Sequence, residues 1–513
     1  MQLSSTKKVY LVVSILVLVL VTTPYFYASF QGGDAYQFGG FLLNPLDGNS
    51  YLEKMRQGWN GNWKFTLPYT ANPGKGAYLF LFYISLGHLA RTLQIPLLIM
   101  FHGVKFIGTA LMLTSMARFF DQRMESPRLK QSAFSLAAIG SGLGWTAIPW
   151  GLFTADFWVA EAYPFLSAYA NPHFPLGLAI LMNLFQPAEK RRISVVGILT
   201  ALLALILPFG VVILILLHGA LVLDDFFSGP YQKITDVFKT KHMKSVGVIG
   251  GIGLPILVYE WWVTNADPVL SLWNEQNLTP SPPLWDTLLS FSPALILAIW
   301  GIRKAWGSKK TKPLVYWGIL GAVLMYFPWS LQRRFMLGYY IPMAGLAVLG
   351  IERISKKFAL RFPSMMIVLI IFAVPTNAIV ILSSAQAVKQ RFPQIYLAQN
   401  EVQALEWVEK NAQDADVFLS SPSTGLYIPA YTGRKVYYGH PFETTDAEEK
   451  RGKAEGFFKE TWTSDQRKSF LVENEIDYVF YGPREKKLGA VKDLAYLEVV
   501  YDRGGIKIYE VDH

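Results

Sequence analysis

Cysteine is absent from the 513 residues of this chain, which excludes disulfide bonds, thiolate metal sites and a cysteine nucleophile. The same absence favours a bacterial or archaeal source. Charged residues are also scarce, at 16% of the chain, where soluble globular proteins carry about 25%. The sequence has no Walker A loop, no HExxH motif and no Gly-x-Ser-x-Gly turn, so nucleotide-driven, zincin and esterase-like chemistry have no visible machinery.

Apolar residues are abundant instead. They make up 52% of the chain, the mean hydropathy is positive, and many apolar runs approach the ~20 residues that cross a bilayer as a helix. The sequence therefore predicts a polytopic α-helical membrane protein with about 11 transmembrane helices. The predicted spans are 9–29, 95–117, 132–152, 172–187, 193–208, 209–223, 245–263, 287–302, 313–329, 335–351 and 364–384.

The connections between these spans differ in charge, and the difference predicts the topology. Basic connections favour the cytoplasmic side, which puts the N-terminus in the cytoplasm and the C-terminal part beyond the inner or plasma membrane. The net charge of +10 follows from this bias and does not indicate a nucleic-acid partner. The apolar segment 77–93 fits the topology only as a re-entrant or surface-lying helix of the first outer loop. The basic connections are 118–130, 188–192, 231–244, 303–312 and 352–361.

The composition changes after residue 384, and we expect two domains. Residues 1–384 are predicted to form a transmembrane catalytic domain whose first outer loop is 30–94, and residues 385–513 a small extracytoplasmic α/β domain without an evident catalytic set. The expected elements of the second domain are a helix over 399–411, strands over 417–421, 435–440 and 477–482, helices within 445–475 and a hairpin over 496–511.

The first outer loop is long, polar and aromatic, and it carries Asp47 within 44-NPLDGNSYLEKM-55. A long loop is usually functional or disordered, and the Tyr and Trp content here argues against disorder. A carboxylate at the membrane surface beside an apolar wall tends to have a raised pKa and can act as a base. The alternative is an aspartate that caps a helix beginning near Asn49. The residues alone leave both interpretations open.

A second acidic segment, 154–175, contains Asp156, Glu161 and His173 but no Lys or Arg. Acidic groups without basic neighbours do not serve local ion pairing. Two carboxylates that converge here could bind a divalent cation or hold a sugar acceptor. Ordinary solvated loop charge is the alternative.

Cationic groups near the outer face form the third set of candidates. His102 and Lys105 lie inside a predicted span, where an ionisable residue is costly and indicates a function. Arg333 and Arg334 stand in an outer connection, where adjacent arginines can grip a lipid phosphate bidentately, and Lys75 could join the same anion site. The alternative for the arginines is snorkelling to the interface.

Together these features resemble the GT-C superfamily of polytopic glycosyltransferases, which includes protein O-mannosyltransferases and aminoarabinose transferases. The shared pattern is a first span, a large outer loop with an early acidic residue, half-inserted helices, many further spans and an outward C-terminal domain. The superfamily's Asp-x-x-x-Tyr element looks like Asp47 to Tyr51, with Gly48 in place of the frequent second acid. Its second acidic position resembles Asp156 or Glu161, and the surrounding 161-EAYPFLSAYANPHF-174 favours Glu161.

The resemblance implies an enzyme that moves a hexosyl or pentosyl group from a polyprenyl-phosphate carrier to a glycolipid, cell-surface glycan or protein at the outer face. It implies Asp47 as general base, Asp156 or Glu161 as the second acidic group, and cations that stabilise the departing lipid phosphate. A divalent cation, Mg²⁺ or Mn²⁺, would be held by Asp47 and Glu161 if one takes part. The expected substrate- and phosphate-binding residues are Arg333, Arg334, Lys75, Lys105, His173, Tyr51 and His102.

Two other classes of function stay open. A lipid-linked glycan flippase or transporter also needs outward-facing charges, although it more often has paired halves with broken helices, which this sequence does not show. A glycan ligase or polymerase would share the architecture and the carrier and would differ in the acceptor. In each case the expected partners are the lipid-linked sugar, its acceptor and the bilayer.

Overall fold

The computed structural model describes residues 4–187, 191–229, 233–489, 491 and 494–512. Parts of two predicted basic connections, residues 188–190 and 231–232, lie outside the described residues.

The described chain is mostly helical. In chain order the helices are α1 (Ser5–Gln31), α2 (Pro45–Trp59), α3 (Leu81–Leu93), α4 (Leu97–Arg123), α5 (Pro127–Ile139), α6 (Ala155–Trp158), α7 (Pro164–Tyr169), α8 (His173–Leu184), α9 (Ile193–Ile206), α10 (Pro208–Ser228), α11 (Met243–Ala266), α12 (Pro268–Gln276), α13 (Leu284–Phe291), α14 (Ala294–Trp306), α15 (Lys312–Leu324), α16 (Tyr340–Phe358), α17 (Phe362–Ala373), α18 (Pro375–Lys389), α19 (Gln399–Asn411), α20 (Pro422–Gly425), α21 (Tyr427–Thr432), α22 (Ala447–Phe457), α23 (Ser464–Glu473) and α24 (Pro483–Lys486). The strands are β1 (Tyr36–Phe38), β2 (Tyr396–Ala398), β3 (Val417–Leu419), β4 (Lys435–Val436), β5 (Tyr478–Tyr481), β6 (Glu498–Arg503) and β7 (Ile506–Glu510), and 3₁₀ helices cover Gly144–Trp150, Ile234–Lys239 and Gln332–Met336.

Five helical stretches in the described residues are long and apolar enough to cross a membrane: α1, α4, α10, α11 and the run of α17 with α18. A sixth results if the bent pair α13 and α14 counts as one broken span, and α8, α9 and α15 are apolar but shorter. The chain is a multi-pass membrane protein, and the count of eleven spans stays a prediction. The predicted span 132–152 shows one reason for the difference, because α5 ends at Ile139 and a 3₁₀ helix with an internal proline follows.

The chain divides into two compact units. The first unit contains Met1–Phe26, His102–Val258 and Thr279–Gln386, and the second contains Tyr27–Phe101, Tyr259–Leu278 and Ala387–His513. The second unit therefore unites the whole of the first predicted outer loop with the C-terminal part of the chain. The predicted division at residue 384, which treats the C-terminal part as a domain of its own, remains a prediction.

In the first unit, α14 and α16 touch along their backbones. A Cβ atom added to Gly301 would lie 2.0 Å from the carbonyl oxygen of Leu346, and one added to Gly350 would lie 2.0 Å from that of Leu297. Only glycine allows such an approach, so these two residues determine where the helices cross. The N-terminal end of α16 is fixed as well, since the Tyr340 hydroxyl donates a hydrogen bond of 2.9 Å to the carbonyl of Ser141.

In the second unit, the predicted loop has structure of its own. Helix α2 packs against α3 through glycines, because a Cβ atom on Gly58 would lie 2.0 Å from the Ile84 carbonyl oxygen and one on Gly87 would lie 1.9 Å from that of Met55. Helix α3 falls within the segment predicted as a surface-lying or re-entrant helix, and it is not among the helices long enough to cross a membrane.

The C-terminal part of the second unit contains a mixed five-stranded sheet in the order β4-β3-β5-β7-β6. Strands β3, β4 and β5 are parallel, while β7 pairs antiparallel with β5 and β6. Several elements lie where the sequence pattern predicted them: α19 matches 399–411 and the β6–β7 hairpin turns at Gly504 and Gly505. The strand predicted over 435–440 is shorter, since β4 covers only Lys435–Val436. Strand β1 of the first loop pairs antiparallel with β2, which ties the loop to the start of this part.

Candidate functional site

The residues expected to act chemically fall into two groups, one in each unit. The second unit holds Asp47, Tyr51 and Lys75. The first unit holds His102, Lys105, Asp156, Glu161, His173, Arg333 and Arg334.

In the first unit, two arginines converge on one carboxylate. The Arg333 Nε lies 3.4 Å from Glu161 Oε1, and Arg334 Nη1 lies 3.7 Å from the same oxygen. The Arg333 guanidinium also stacks over the Trp158 ring, 4.9 Å from its centroid. Glu161 is buried, whereas the side chains of Arg333 and Arg334 are 22% and 34% exposed. Two guanidinium groups on one carboxylate leave an excess positive charge that solvent, and therefore an anion, can reach.

Backbone hydrogen bonds hold this cluster in place. Arg333 N–H donates to the carbonyl of Thr279, at 3.0 Å, and Gly338 N–H donates to the carbonyl of Glu161, at 2.8 Å. The 3₁₀ helix that carries both arginines is thus joined to the segment that carries Glu161. His173, the first residue of α8, is buried and lies near enough to Arg334 for an electrostatic interaction with its guanidinium group. The sequence placed Glu161 and His173 in one segment and the two arginines in another, and the structure brings the four residues together.

Lys105 and His102 lie on α4, where their neighbours are tyrosines. The Lys105 Nζ donates to the carbonyl of Tyr169, at 3.1 Å, and lies 3.4 Å from the centroid of the Tyr25 ring. The Tyr25 hydroxyl donates to the same carbonyl, at 2.7 Å, and its ring packs 4.8 Å from that of His102. A cation–π contact and a carbonyl together stabilise the buried ammonium group.

Asp156 is fully engaged in holding a turn. Its Oδ2 accepts hydrogen bonds from the backbone N–H groups of Gly142 and Gly144 and from the Thr376 hydroxyl, at 3.2, 3.1 and 2.8 Å. Its Oδ1 accepts from the Thr154 hydroxyl, at 2.6 Å, and the side chain is wholly buried. Burial raises the pKa of Asp156, against these hydrogen bonds. Of the two candidates for the second acidic group, Glu161 is the one beside accessible cations.

In the second unit, Asp47 lies in the first turn of α2. The helix begins at Pro45, with Asn44 rather than Asp47 as its N-cap, which corrects the expectation of a helix starting near Asn49. The Asn44 amide donates to Asp47 Oδ2, at 2.6 Å, and Asp47 is half-buried. One turn further, the Tyr51 ring stacks on that of Tyr83, with centroids 4.4 Å apart. Lys75 is exposed.

Helix α2 also carries a buried polar cluster that was not predicted from the sequence. Lys54 Nζ donates to Glu443 Oε1 and to the Ser50 hydroxyl, both at 2.7 Å, and Ser50 donates to the same Glu443 oxygen at 2.5 Å. Glu53 is buried beside them and accepts from Gln57 at 2.5 Å. The only sequence signal was two charged residues, Glu53 and Lys54, adjacent in a helix-like stretch, since their partner lies nearly 400 positions away.

The pKa values of the two carboxyl groups of this cluster, Glu53 and Glu443, shift in opposite directions. Burial raises the pKa of Glu53 to about 8, against the charge of Lys54 and the hydrogen bond from Gln57. Burial also acts to raise the pKa of Glu443, but the charges of Lys54 and His440 and the hydrogen bonds it accepts outweigh burial and lower it. Next to the cluster, the second unit has an open pocket of about 820 Å³ lined by Gln276, Tyr438, Pro441, Asp446, Ala447, Glu448, Glu449 and Arg451.

Metal ligands are not grouped in the part of the chain that the structure describes: no three His, Asp or Glu side chains are arranged to hold an ion. Asp47 and Glu161, the two residues expected to hold a divalent cation, belong to different units.

Solved structures share the fold. The oligosaccharyltransferase of Archaeoglobus fulgidus, tethered with an acceptor peptide containing the NVT sequon, gives a TM-score of 0.55 at 13% identity over 98% of this chain and 74% of that chain. The archaeal oligosaccharyltransferase AglB from the same organism, in complex with an inhibitory peptide and a dolichol-phosphate, gives 0.55 at 14% identity over 99% and 75%. ArnT from Cupriavidus metallidurans, bound to undecaprenyl phosphate, covers 99% of both chains at 10% identity with a lower score of 0.47. This chain has the fold of the GT-C glycosyltransferases.

By sequence, the model described as "Family of unknown function (DUF6541)" matches residues 99–513. Among curated proteins, none matches the sequence of this chain.

Proposed function

The chain belongs to the DUF6541 family of unknown function, and from its fold and its own charged clusters we propose that it is a membrane glycosyltransferase. It would transfer a sugar from a polyprenyl-phosphate carrier to a hydroxyl or amide acceptor at the outer face of the membrane. The bound dolichol-phosphate of the archaeal neighbour supports a carrier of this lipid class. The excess of basic residues in the predicted cytoplasmic connections supports the orientation, with the N-terminus inside.

The observation that carries the proposal is the cluster of Arg333, Arg334 and Glu161. Guanidinium groups match phosphate oxygens in planar, bidentate hydrogen bonds, and here two of them are tied to one buried carboxylate and remain partly exposed. A leaving phosphate that gains charge as the sugar departs is stabilised by such preorganised cations. We assign Glu161 to orienting the two arginines.

Asp47 is the residue we assign as general base. It would take the proton of the acceptor as the acceptor atom bonds to the anomeric carbon. The bond between that carbon and the phosphate oxygen breaks in the same step, and its electron pair leaves with the polyprenyl phosphate. The amide of Asn44, 2.6 Å from Asp47 Oδ2, orients the carboxylate. We assign no step to a metal ion.

For the acceptor we propose the open pocket of the second unit. Its walls combine the amide of Gln276, the phenol of Tyr438 and the carboxylates of Asp446 and Glu448, groups that exchange hydrogen bonds with a polyhydroxylated molecule. Three carboxylates against one guanidinium disfavour an anionic acceptor. Asp446→Ala should raise the KM for the acceptor and leave the KM for the donor unchanged.

A transfer assay tests the function. Purified protein in nanodiscs is given labelled polyprenyl-phosphate sugars and a panel of neutral glycan and glycolipid acceptors, with and without a chelator. We expect carrier consumption by the wild type, its loss in Asp47→Asn, and its retention in Asp34→Asn, which changes an exposed aspartate of the same segment. Turnover that is unchanged in Asp47→Asn would refute the assignment of the base. Binding of the carrier without consumption would favour a flippase.

A further inference from the structure

Helix α2 is joined to the C-terminal part of the second unit by two salt bridges on opposite faces. Lys54 pairs with Glu443 at 2.7 Å, and Arg56 pairs with Glu409 at 2.9 Å. At about 100° per residue, Lys54 shares the face of α2 that carries Asp47, whereas Arg56 points the other way. The two bridges also differ in burial: the Lys54 and Glu443 side chains are 1% and 10% exposed, and those of Arg56 and Glu409 are 18% and 44% exposed.

The buried bridge involves more than a charge pair. One oxygen of Glu443 accepts from both Ser50 and Lys54, and Lys54 donates to Ser50 as well, so the three groups close a ring of hydrogen bonds over one turn of α2. The Lys54 ammonium is further enclosed by aromatic rings, with centroids 4.6 Å away for Phe80 and 5.0 Å away for Phe65. Because buried charges need this degree of pairing, the position of Glu443 dictates the position of the turn.

The loop that carries Glu443 is itself held from the other side. The amides of Asn277 and Gln276 donate to the carbonyls of Phe442 and Thr444, at 2.7 and 2.6 Å. Within the loop, the Phe442 N–H donates to His440 Nδ1, at 3.1 Å, so the His440 ring proton sits on Nε2. This ring is close enough to Asp47 and Glu443 to interact with both charges. Residues 440–444 thus contact both the end of α12 and the Asp47 face of α2.

We propose that Glu443 is a positioning residue that fixes the first two turns of α2, so that the C-terminal part of the chain sets the geometry of Asp47. This inference rests on the proposed function for its catalytic consequence, although the positioning itself does not need that function. From the sequence alone, the C-terminal part shows no evident catalytic set.

The test compares Glu443→Gln, which keeps the shape of the side chain and removes its charge, with Glu409→Gln on the opposite face. Hydrogen–deuterium exchange of the full-length protein in nanodiscs should show faster exchange of the backbone amides of residues 47–52 in Glu443→Gln and no change there in Glu409→Gln. In the transfer assay, kcat should fall about tenfold or more in Glu443→Gln while the KM for the donor stays constant, since a misplaced base affects the chemical step. Glu443→Asp should recover part of the loss.

The outcomes separate this inference from the proposed function. Unchanged exchange over residues 47–52 in folded Glu443→Gln would overturn the positioning role, as would an equal fall of kcat in Glu409→Gln. If the wild type transfers no sugar but the exchange pattern follows the expectation, the positioning role stands and the proposed function fails. Should Glu443→Gln not fold, Ser50→Ala removes one hydrogen bond of the ring and must give the same local increase in exchange.

Discussion

The two charged clusters of this protein have opposite designs. In the first unit, Arg333 and Arg334 share the single carboxylate of Glu161, and the arginines remain partly exposed. In the second unit, Lys54 is buried and paired with the carboxylate of Glu443, and the buried carboxyl group of Glu53 lies close by. An accessible cluster with unbalanced cations is suited to a transient anion, whereas a buried cluster closed by its own hydrogen bonds is suited to holding a backbone in place. The difference separates the group that binds from the group that positions.

The largest expected effect comes from removing the cations of the first cluster. Arg333→Ala combined with Arg334→Ala should lower transfer by about 10²–10³-fold, because preorganised charges at a developing anion contribute on that scale. The thermal unfolding midpoint should fall as well, because the double variant leaves the buried carboxylate of Glu161 without its cations, so transfer is compared at equal amounts of folded protein. Arg303→Ala, at an exposed arginine of α14, is the matched control. A double variant that transfers normally would remove the phosphate site from the account.

Substitutions in the second cluster should mainly lower the stability of the fold. Glu443→Ala leaves the Lys54 ammonium buried without its carboxylate, which destabilises by about 3–5 kcal/mol. Glu409→Ala breaks the exposed bridge to Arg56 and should cost about 0–1 kcal/mol. Unfolding followed in detergent by denaturant titration measures both. Equal losses in the two variants would mean that burial does not distinguish the bridges.

Substitutions at the two acidic candidates of the first unit, Asp156 and Glu161, should also differ: the first should affect stability and the second should affect carrier binding. In Asp156→Asn, the amide NH₂ group replaces one carboxylate oxygen and faces N–H or O–H donors that then have no acceptor. We expect the free energy of unfolding to fall by about 1–3 kcal/mol. Glu161→Gln should leave the unfolding free energy nearly unchanged and should keep or raise the affinity for the carrier phosphate. If Asp156→Asn proves stable and inactive instead, Asp156 belongs to the chemistry.

A pH dependence is expected within the second cluster. Glu53 keeps its proton in the folded protein up to a pKa of about 8, whereas the unfolded chain releases it near the ordinary value of 4.5. The contribution of Glu53 to stability therefore falls as the pH rises from about 4.5 to 8. Glu53→Gln should match the wild-type unfolding midpoint at pH 4 and exceed it at pH 8.5. A gap that does not grow with pH would mean that Glu53 is ionised in the folded state.

Local patterns predicted much of the fold. Helical spacing identified α19, alternation with a Gly-Gly turn identified the β6–β7 hairpin, and charge bias kept the segment of α3 from being taken as a full span. Full span lengths were less predictable, because an apolar window does not reveal where a helix breaks, as after Ile139. Backbone approaches such as that of Gly58 and Gly87 have no signal in composition.

Part of the candidate site was also predictable. Arg333 and Arg334 were predicted as candidates because outer connections are otherwise poor in basic residues. Asp47 was predicted as a candidate because of its spacing to Tyr51. The partners could not be inferred, since Glu161 meets the arginines, and Glu443 meets Lys54, only through contacts between residues far apart in the chain. A buried aspartate such as Asp156 and a buried cluster such as that of Glu443 look like ordinary loop charges until their hydrogen bonds are seen.

Binding of a polyprenyl phosphate without a sugar tests the central claim most directly, because it needs no acceptor. Titration of short-chain polyprenyl phosphate into nanodisc-held protein, followed by the ³¹P resonance of the lipid, compares the wild type with the Arg333→Ala/Arg334→Ala double variant and with Glu161→Gln. We expect saturable binding by the wild type and its loss in the double variant. In Glu161→Gln, where the competing carboxylate charge is gone, we expect affinity at least equal to that of the wild type. Wild-type affinity in the double variant would contradict the assignment of the phosphate to this cluster.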